Sequence, residues 1–188
     1  MPMPNDNLYW YVLFVRTGCE EKLVAALKAS FDKSVAIPFT PTKTGVFRRA
    51  GKKSLFQKIC FPGYIFIEST LPPLALAKYS FVILNRQKDI YRFLSYEGRF
   101  DTAMRESERE ALSKLLGKER SIDISMGLRE GDCVKIISGP LLGLESRIVK
   151  IDKNRQNAVI IINMFGDELE MSVGLSIIEK TCSKIHFS

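Results

Sequence analysis

The sequence predicts an α+β protein in two units: an α/β sandwich-like amino-terminal domain over residues 1–117 and a small SH3-like β-barrel over residues 128–180. Three observations carry this expectation. The chain opens on an aromatic and β-branched run followed at once by a helix-start signal. A polar connector at residues 118–127 interrupts the apolar pattern. Beyond it, short Val/Ile-rich segments separated by tight turns fill the last third, up to a tail at residues 181–188.

Tyr9 to Val15 is a continuous aromatic and aliphatic run that reads as a central strand. Thr17 and Glu20 have the spacing of a capping box, in which hydroxyl and carboxylate satisfy the first free amides of a helix. Leu23, Val24, Leu27 and Phe31 follow at helical spacing. Residues 35–37 form a short strand stopped by Pro38 and Pro41. Val46-Phe47 and Leu55-Phe56 flank a basic hairpin, Arg48, Arg49, Lys52 and Lys53, turning at Ala50-Gly51. Phe61-Pro62-Gly63 leads into a strand over residues 64–68. Alternation there puts Tyr64, Phe66 and Glu68 on one face and Ile65 and Ile67 on the other. Pro72 and Pro73 suit the first turn of a helix, where an amide proton is not needed. Residues 81–84 read as a strand and residues 90–94 as a short extended segment. Ala111, Leu112, Leu115 and Leu116 make the stripe of a charged helix ending near Gly117.

The last third shows five strand segments, at residues 133–138, 146–151, 158–163, 168–173 and 176–178. Turns at Gly139-Pro140, residues 152–157 and Gly166-Asp167 separate them. Five strands in about 50 residues suit a small barrel, and a unit this small needs a core of nearly all Val, Ile and Leu.

Charge narrows the partners. The 28 Lys and Arg against 21 Asp and Glu leave a formal charge of +7, and all of the excess falls in residues 1–127. Between Asp32 and Glu68 there is no acid, only Lys33, Lys43, Arg48, Arg49, Lys52, Lys53 and Lys58. Such a run is either a solvated loop or a phosphate-facing hairpin. Cys19, Cys60, Cys133 and Cys182 are too far apart in sequence for a zinc-ligand pattern or a disulfide framework, which points to a reducing cytoplasm. No run of about 18 apolar residues suggests a membrane span. His186, the single histidine, sits in the tail, and no phosphate-binding glycine loop occurs. The sequence offers no catalytic constellation and no pattern that would hold a cofactor or a metal.

Trp10-Tyr11-Val12 followed by Arg16-Thr17-Gly18-Cys19-Glu20-Glu21-Lys22 resembles the start of the NusG amino-terminal domain. Phe61-Pro62-Gly63-Tyr64-Ile65-Phe66 is similar to that domain's FPGY strand. Glu130-Gly131-Asp132-Cys133-Val134, Ser138-Gly139-Pro140-Leu141-Leu142-Gly143 and Phe165-Gly166 resemble a KOW domain. The phrase around Phe14 to Gly18 and the GPLLG turn most resemble specialised antiterminators of the LoaP type.

The resemblance implies a monomeric, non-enzymatic transcription factor. Its first domain would sit on the clamp helices of bacterial RNA polymerase through Trp10, Phe61, Pro62, Gly63 and Tyr64. Arg48, Arg49, Lys52 and Lys53 would then face upstream DNA or emerging RNA. The KOW domain of LoaP-type relatives binds an RNA hairpin, for which Arg147, Lys150, Lys153 and Arg155 are the candidates here; housekeeping relatives contact a ribosomal protein or a termination factor. Two further readings stand beside it: a general elongation factor coupled to the ribosome, and a ribosome-associated KOW protein. One departure from the family pattern is Ser146, where KOW domains usually carry glycine; a special backbone angle is lost there or moved to Gly143.

Overall fold

The computed structural model describes residues 8–49, 52–97, 101–130, 133–152 and 156–179. Strand β1 (Tyr9–Val15) runs into helix α1 (Glu20–Ser30), then β2 (Ala36–Phe39), the hairpin β3 (Thr42–Arg49) and β4 (Lys52–Ile59), and β5 (Tyr64–Ser69). Helix α2 (Pro73–Asn85), β6 (Ile90–Phe93) and helix α3 (Glu106–Leu116) complete the amino-terminal unit. After it come β7 (Ser121–Ile122), β8 (Ser125–Glu130), β9 (Cys133–Ser138), a 3-10 turn at Glu145–Arg147, β10 (Ile148–Asp152), β11 (Asn157–Met164) and β12 (Asp167–Glu179).

The first sheet has the order β2-β5-β1-β6, antiparallel throughout. Its two centre strands are covered on both faces, which is why β1 reads as an unbroken apolar run rather than an alternating one. Tyr11, Leu13, Val15, Ile65 and Ile67 face α1 and α2 in one core. Trp10, Val12 and Phe66 join a second core with Leu112, Leu115 and Leu116 of α3. The alternation expected along β5 is therefore the division between the two cores. Leu13, Ile65 and Ile67 are wholly buried, each contributing about 1.5–3 kcal/mol from removal of apolar surface from water.

Four local expectations are corrected. Residues 81–84 belong to α2 and not to a strand; a short apolar run carries no period of its own, and here the helix starting at Pro73 continues through it. Strand β2 continues through Pro38, because it lies at the sheet edge, where a missing amide costs no ladder bond. The amino-terminal cap of α1 is Cys19, and no side chain caps it. Residues 118–127, expected as a connector, hold β7, parallel to β3, and the start of β8.

The carboxy-terminal strands form one sheet of order β10-β11-β12-β8-β9. β12 is long enough to pair antiparallel with β11 in its first half and parallel with β8 in its second, so the two expected segments at 168–173 and 176–178 are one strand. Fully buried Ser125 of β8 accepts the Leu141 amide through Oγ at 2.9 Å, bracing the Gly139–Leu141 turn. The left-handed angle in the following loop lies at Gly143, φ +79°, and Ser146 sits in the 3-10 turn.

The two units share a core. Ile136, Leu141, Ile160, Ile162, Met164 and Phe165 are continuous with the α3 side of the first sheet.

Candidate docking surfaces

The turn between β4 and β5 is the best-defined feature of the amino-terminal surface. Tyr64 N donates to Phe61 O at 3.2 Å, with Pro62 second and Gly63 third in the turn, at φ +86°. That residue order suits a type II turn, where the third position requires the left-handed region. A buried carboxylate holds it in place. Glu20 Oε1 accepts the Gly63 amide at 2.6 Å, and Oε2 accepts the Gly18 amide at 2.7 Å. The residue expected to close a capping box instead clamps two glycine turns that lie 45 positions apart in sequence.

This geometry separates the five expected docking residues. Pro62 is exposed and Tyr64 is half-buried, packed at a tilt on Phe14 with ring centroids 5.7 Å apart; Phe14 in turn meets exposed Tyr91 at 5.2 Å. Gly63 is buried in the turn. Phe61 and Trp10 are core: Phe61 packs on Phe66, and Trp10 meets Phe39 edge-on at 5.4 Å. Trp10 Nε1 also donates to Glu68 Oε2 at 3.0 Å. The other Glu68 oxygen pairs with Arg120 at 3.0 Å, and the Arg120 guanidinium lies 4.0 Å above the Phe39 ring. The end of the Tyr64 face is thus closed by an ion pair and a cation–π contact.

The expected nucleic-acid hairpin exists in the backbone. β3 and β4 pair in register Arg48 with Lys53 and Arg49 with Lys52. The turn at residues 50–51, and the side chains of Arg48, Arg49, Lys52 and Lys53, lie outside the described residues. Exposed Leu55 and Phe56 flank them on β4. Of the other cations in the acid-free stretch, Lys43 is committed elsewhere. Its Nζ donates to Ser172 O of β12 at 2.6 Å, and burial lowers its pKa.

The basic cluster of the carboxy-terminal unit is split. Lys150 is exposed on β10. Arg147 lines a small crevice with Glu108, Leu112 and Leu115 of α3. Lys153 and Arg155 lie outside the described residues.

The contact between the units is polar as well as apolar. Tyr96 and Phe165 pack with tilted rings, centroids 5.1 Å apart. Buried Glu108 accepts the Tyr96 hydroxyl through Oε2 and the Gly166 amide through Oε1, the latter at 3.1 Å. The Tyr96 hydroxyl accepts the Arg105 amide at 2.7 Å, and burial together with the Glu108 bond raises its pKa. The roles of Glu20, read in sequence only as a helix cap, and of Glu108 are not legible there, because buried carboxylates look like ordinary charged helix residues until their donors are known. Among the described residues no three His, Cys, Asp or Glu side chains are grouped to hold a metal ion.

The family profile "Transcription termination factor nusG" matches residues 8–113, more than half of the chain. The protein belongs to the NusG family. The NusG of Thermus thermophilus, a transcription termination/antitermination protein, is 26% identical over 182 residues, covering 93% of this chain and 99% of that one. The Bacillus subtilis NusG is 26% identical over 179 residues, covering 91% and 97%. A solved structure titled "Domain interaction in Thermotoga maritima NusG" aligns at a TM-score of 0.49 with 24% identity, over 89% of this chain and 94% of that one. As a NusG-family transcription factor with a mixed α/β fold, the chain has no helix long and apolar enough to cross a membrane among its described residues.

Proposed function

We propose that this NusG-family protein is a specialised cytoplasmic elongation and antitermination factor of the LoaP type, acting on RNA polymerase rather than as an enzyme. Residues 1–117 are its polymerase-binding domain and residues 128–180 a KOW barrel. One observation carries the polymerase contact: the Phe61–Tyr64 turn is held from within by Glu20 and offers Pro62 and Tyr64 at the surface. Trp10 and Phe61 support that patch from below. A rigid turn presenting an aromatic loses little freedom on docking, and aromatics of this kind make strong interface centres. The docked site is the clamp helices, and the hairpin cations Arg48, Arg49, Lys52 and Lys53 contact nucleic-acid phosphate without reading sequence.

The KOW unit binds a leader RNA hairpin through exposed Lys150 with Lys153 and Arg155. Arg147, partly exposed beside α3, is the fourth candidate contact. A general elongation factor, with a ribosomal protein in place of RNA, is the second reading; the end-to-end match to the Thermus and Bacillus proteins favours it.

Capture of purified bacterial core RNA polymerase, wild type beside Tyr64→Ala, tests the first contact. Capture that falls with the variant supports it, and equal capture removes this patch. Terminator readthrough in a reconstituted transcription reaction separates the two readings. Dependence on a leader hairpin and on Lys150 supports the specialised factor; hairpin-independent readthrough supports the general one.

A further inference from the structure

On the opposite side of the first sheet from the carboxy-terminal unit, α2 leaves a cavity of about 230 Å³ against edge strand β6. Leu13 and Phe93 floor it, Leu84 walls it, and it opens between Phe81 and Tyr91. Two features set it apart from a packing defect. Ser80 lines it with a side chain that is wholly buried, yet its Oγ has no hydrogen-bond partner. An orphaned buried hydroxyl is costly, and it is the kind of group an incoming ligand satisfies. The surface beside it is also apolar where it should be polar: Phe81 and Tyr91, which line the cavity, are 65% and 57% exposed, and Leu74 and Val82 are exposed on the same helix. Such a patch marks an interaction site.

The charge around it chooses the partner. No acid occurs from residue 69 to residue 88; Arg92 lines the cavity, and Lys78 on α2, Arg86 at its end and Lys88 in the connection to β6 are exposed, with no ion pair among the described residues. Asp89, the next carboxylate along the chain, is paired with Arg16 at 3.6 Å. A second copy of this chain, with its +7 charge, is repelled by that rim.

We propose that the α2–β6 cavity is a second docking site, which takes an acidic peptide segment of another protein anchored by one tyrosine. The ring fills the cavity, its hydroxyl pairs with Ser80 Oγ, and flanking carboxylates meet Lys78, Arg86 and Arg92. The volume suits a single aromatic side chain, and the unpartnered buried hydroxyl in the wall selects tyrosine over phenylalanine. The site lies on the α1–α2 side of the sheet, so it stays open while the carboxy-terminal unit rests against α3.

The test uses the full chain and three fluorescein-labelled synthetic peptides, a Tyr flanked by three Glu on each side and its Phe and Lys-for-Glu counterparts, read by fluorescence anisotropy. The Tyr peptide is expected to bind saturably, about 5-fold tighter than the Phe peptide, a ratio appropriate to one net hydrogen bond. Ser80→Ala should abolish that preference, and Phe81→Glu, at an exposed position that does not threaten folding, should weaken binding at least 10-fold. The Lys peptide should not bind. Equal binding of the Tyr and Phe peptides, retention of the preference in Ser80→Ala, or equal binding of the Lys peptide would overturn the proposal. So would no saturable binding, or binding only of phosphatidylglycerol vesicles, which would make the patch a lipid surface.

Discussion

Glu108 of α3 and Gly166 of the β11–β12 turn are joined by a 3.1 Å hydrogen bond, 58 positions apart in sequence, with the Tyr96 hydroxyl on the second carboxylate oxygen. One buried side chain therefore connects the last helix of the amino-terminal unit to a turn of the carboxy-terminal sheet, and the tilted Tyr96–Phe165 ring pair joins the same two units. A half-satisfied buried network costs more than none at all.

This arrangement predicts coupling. Glu108→Ala should destabilise the chain by about 2–3 kcal/mol, since it strands the Tyr96 hydroxyl and the Gly166 amide. Tyr96→Phe alone should cost less, and the double variant should fall short of the sum by about 1 kcal/mol or more. Urea unfolding of the four proteins measures the cycle; strict additivity would show that the two groups act independently.

Glu20 is expected to matter more than its place on a helix suggests. Glu20→Gln keeps one acceptor oxygen for two amides, so the Gly18 and Gly63 turns should loosen, at about 1.5–3 kcal/mol for a charge-assisted bond. Amide hydrogen exchange should accelerate at both Gly18 and Gly63. Faster exchange at Gly18 alone would mean the Phe61–Tyr64 turn holds its own shape.

Gly139 and Gly143 both sit at positive φ in one loop, but they differ in the space around them. A Cβ on Gly139 would lie 2.6 Å from Ser125 Cα, whereas one on Gly143 meets nothing within 4 Å. Gly143→Ala should cost about 1–2 kcal/mol, the left-handed penalty alone. Gly139→Ala should cost clearly more, because backbone must move and Ser125 loses its bond to the Leu141 amide. Thermal unfolding midpoints decide it, and equal shifts would contradict the steric argument.

Burial pushes the Cys60 thiol up to about 12, the nearby Lys43 opposing the shift only weakly. The folded thiol thus stays protonated where the unfolded thiol, near 9.0, has ionised. Between these values the native state holds the extra proton, so stability should fall as pH rises from about 9 toward 12. Cys60→Ala should flatten that fall in urea unfolding measured at pH 8 and pH 10. At pH 8 exposed Cys133 should react with iodoacetamide while Cys60 does not, and labelling of Cys60 in the native state would contradict its burial.

The sequence alone determined what repeats locally: the β1 strand, the α1 and α3 stripes, the basic hairpin, most of the carboxy-terminal strands and the family resemblance. These rest on period, turn residues and short-range order, which each stretch carries within itself. Tertiary structure decided the rest. It continued the helix begun at Pro73 through residues 81–84, and it carried β2 through Pro38 and turned the expected connector into β7 and β8, because those strands depend on partners distant in sequence. It buried Trp10 and Phe61 while leaving Pro62 and Tyr64 at the surface, a division that aromatic character cannot reveal. It also gave Glu20, Glu108 and Ser80 their meaning. A carboxylate that clamps two turns and a hydroxyl left without a partner are defined by what surrounds them, and only the packed chain brings those surroundings together.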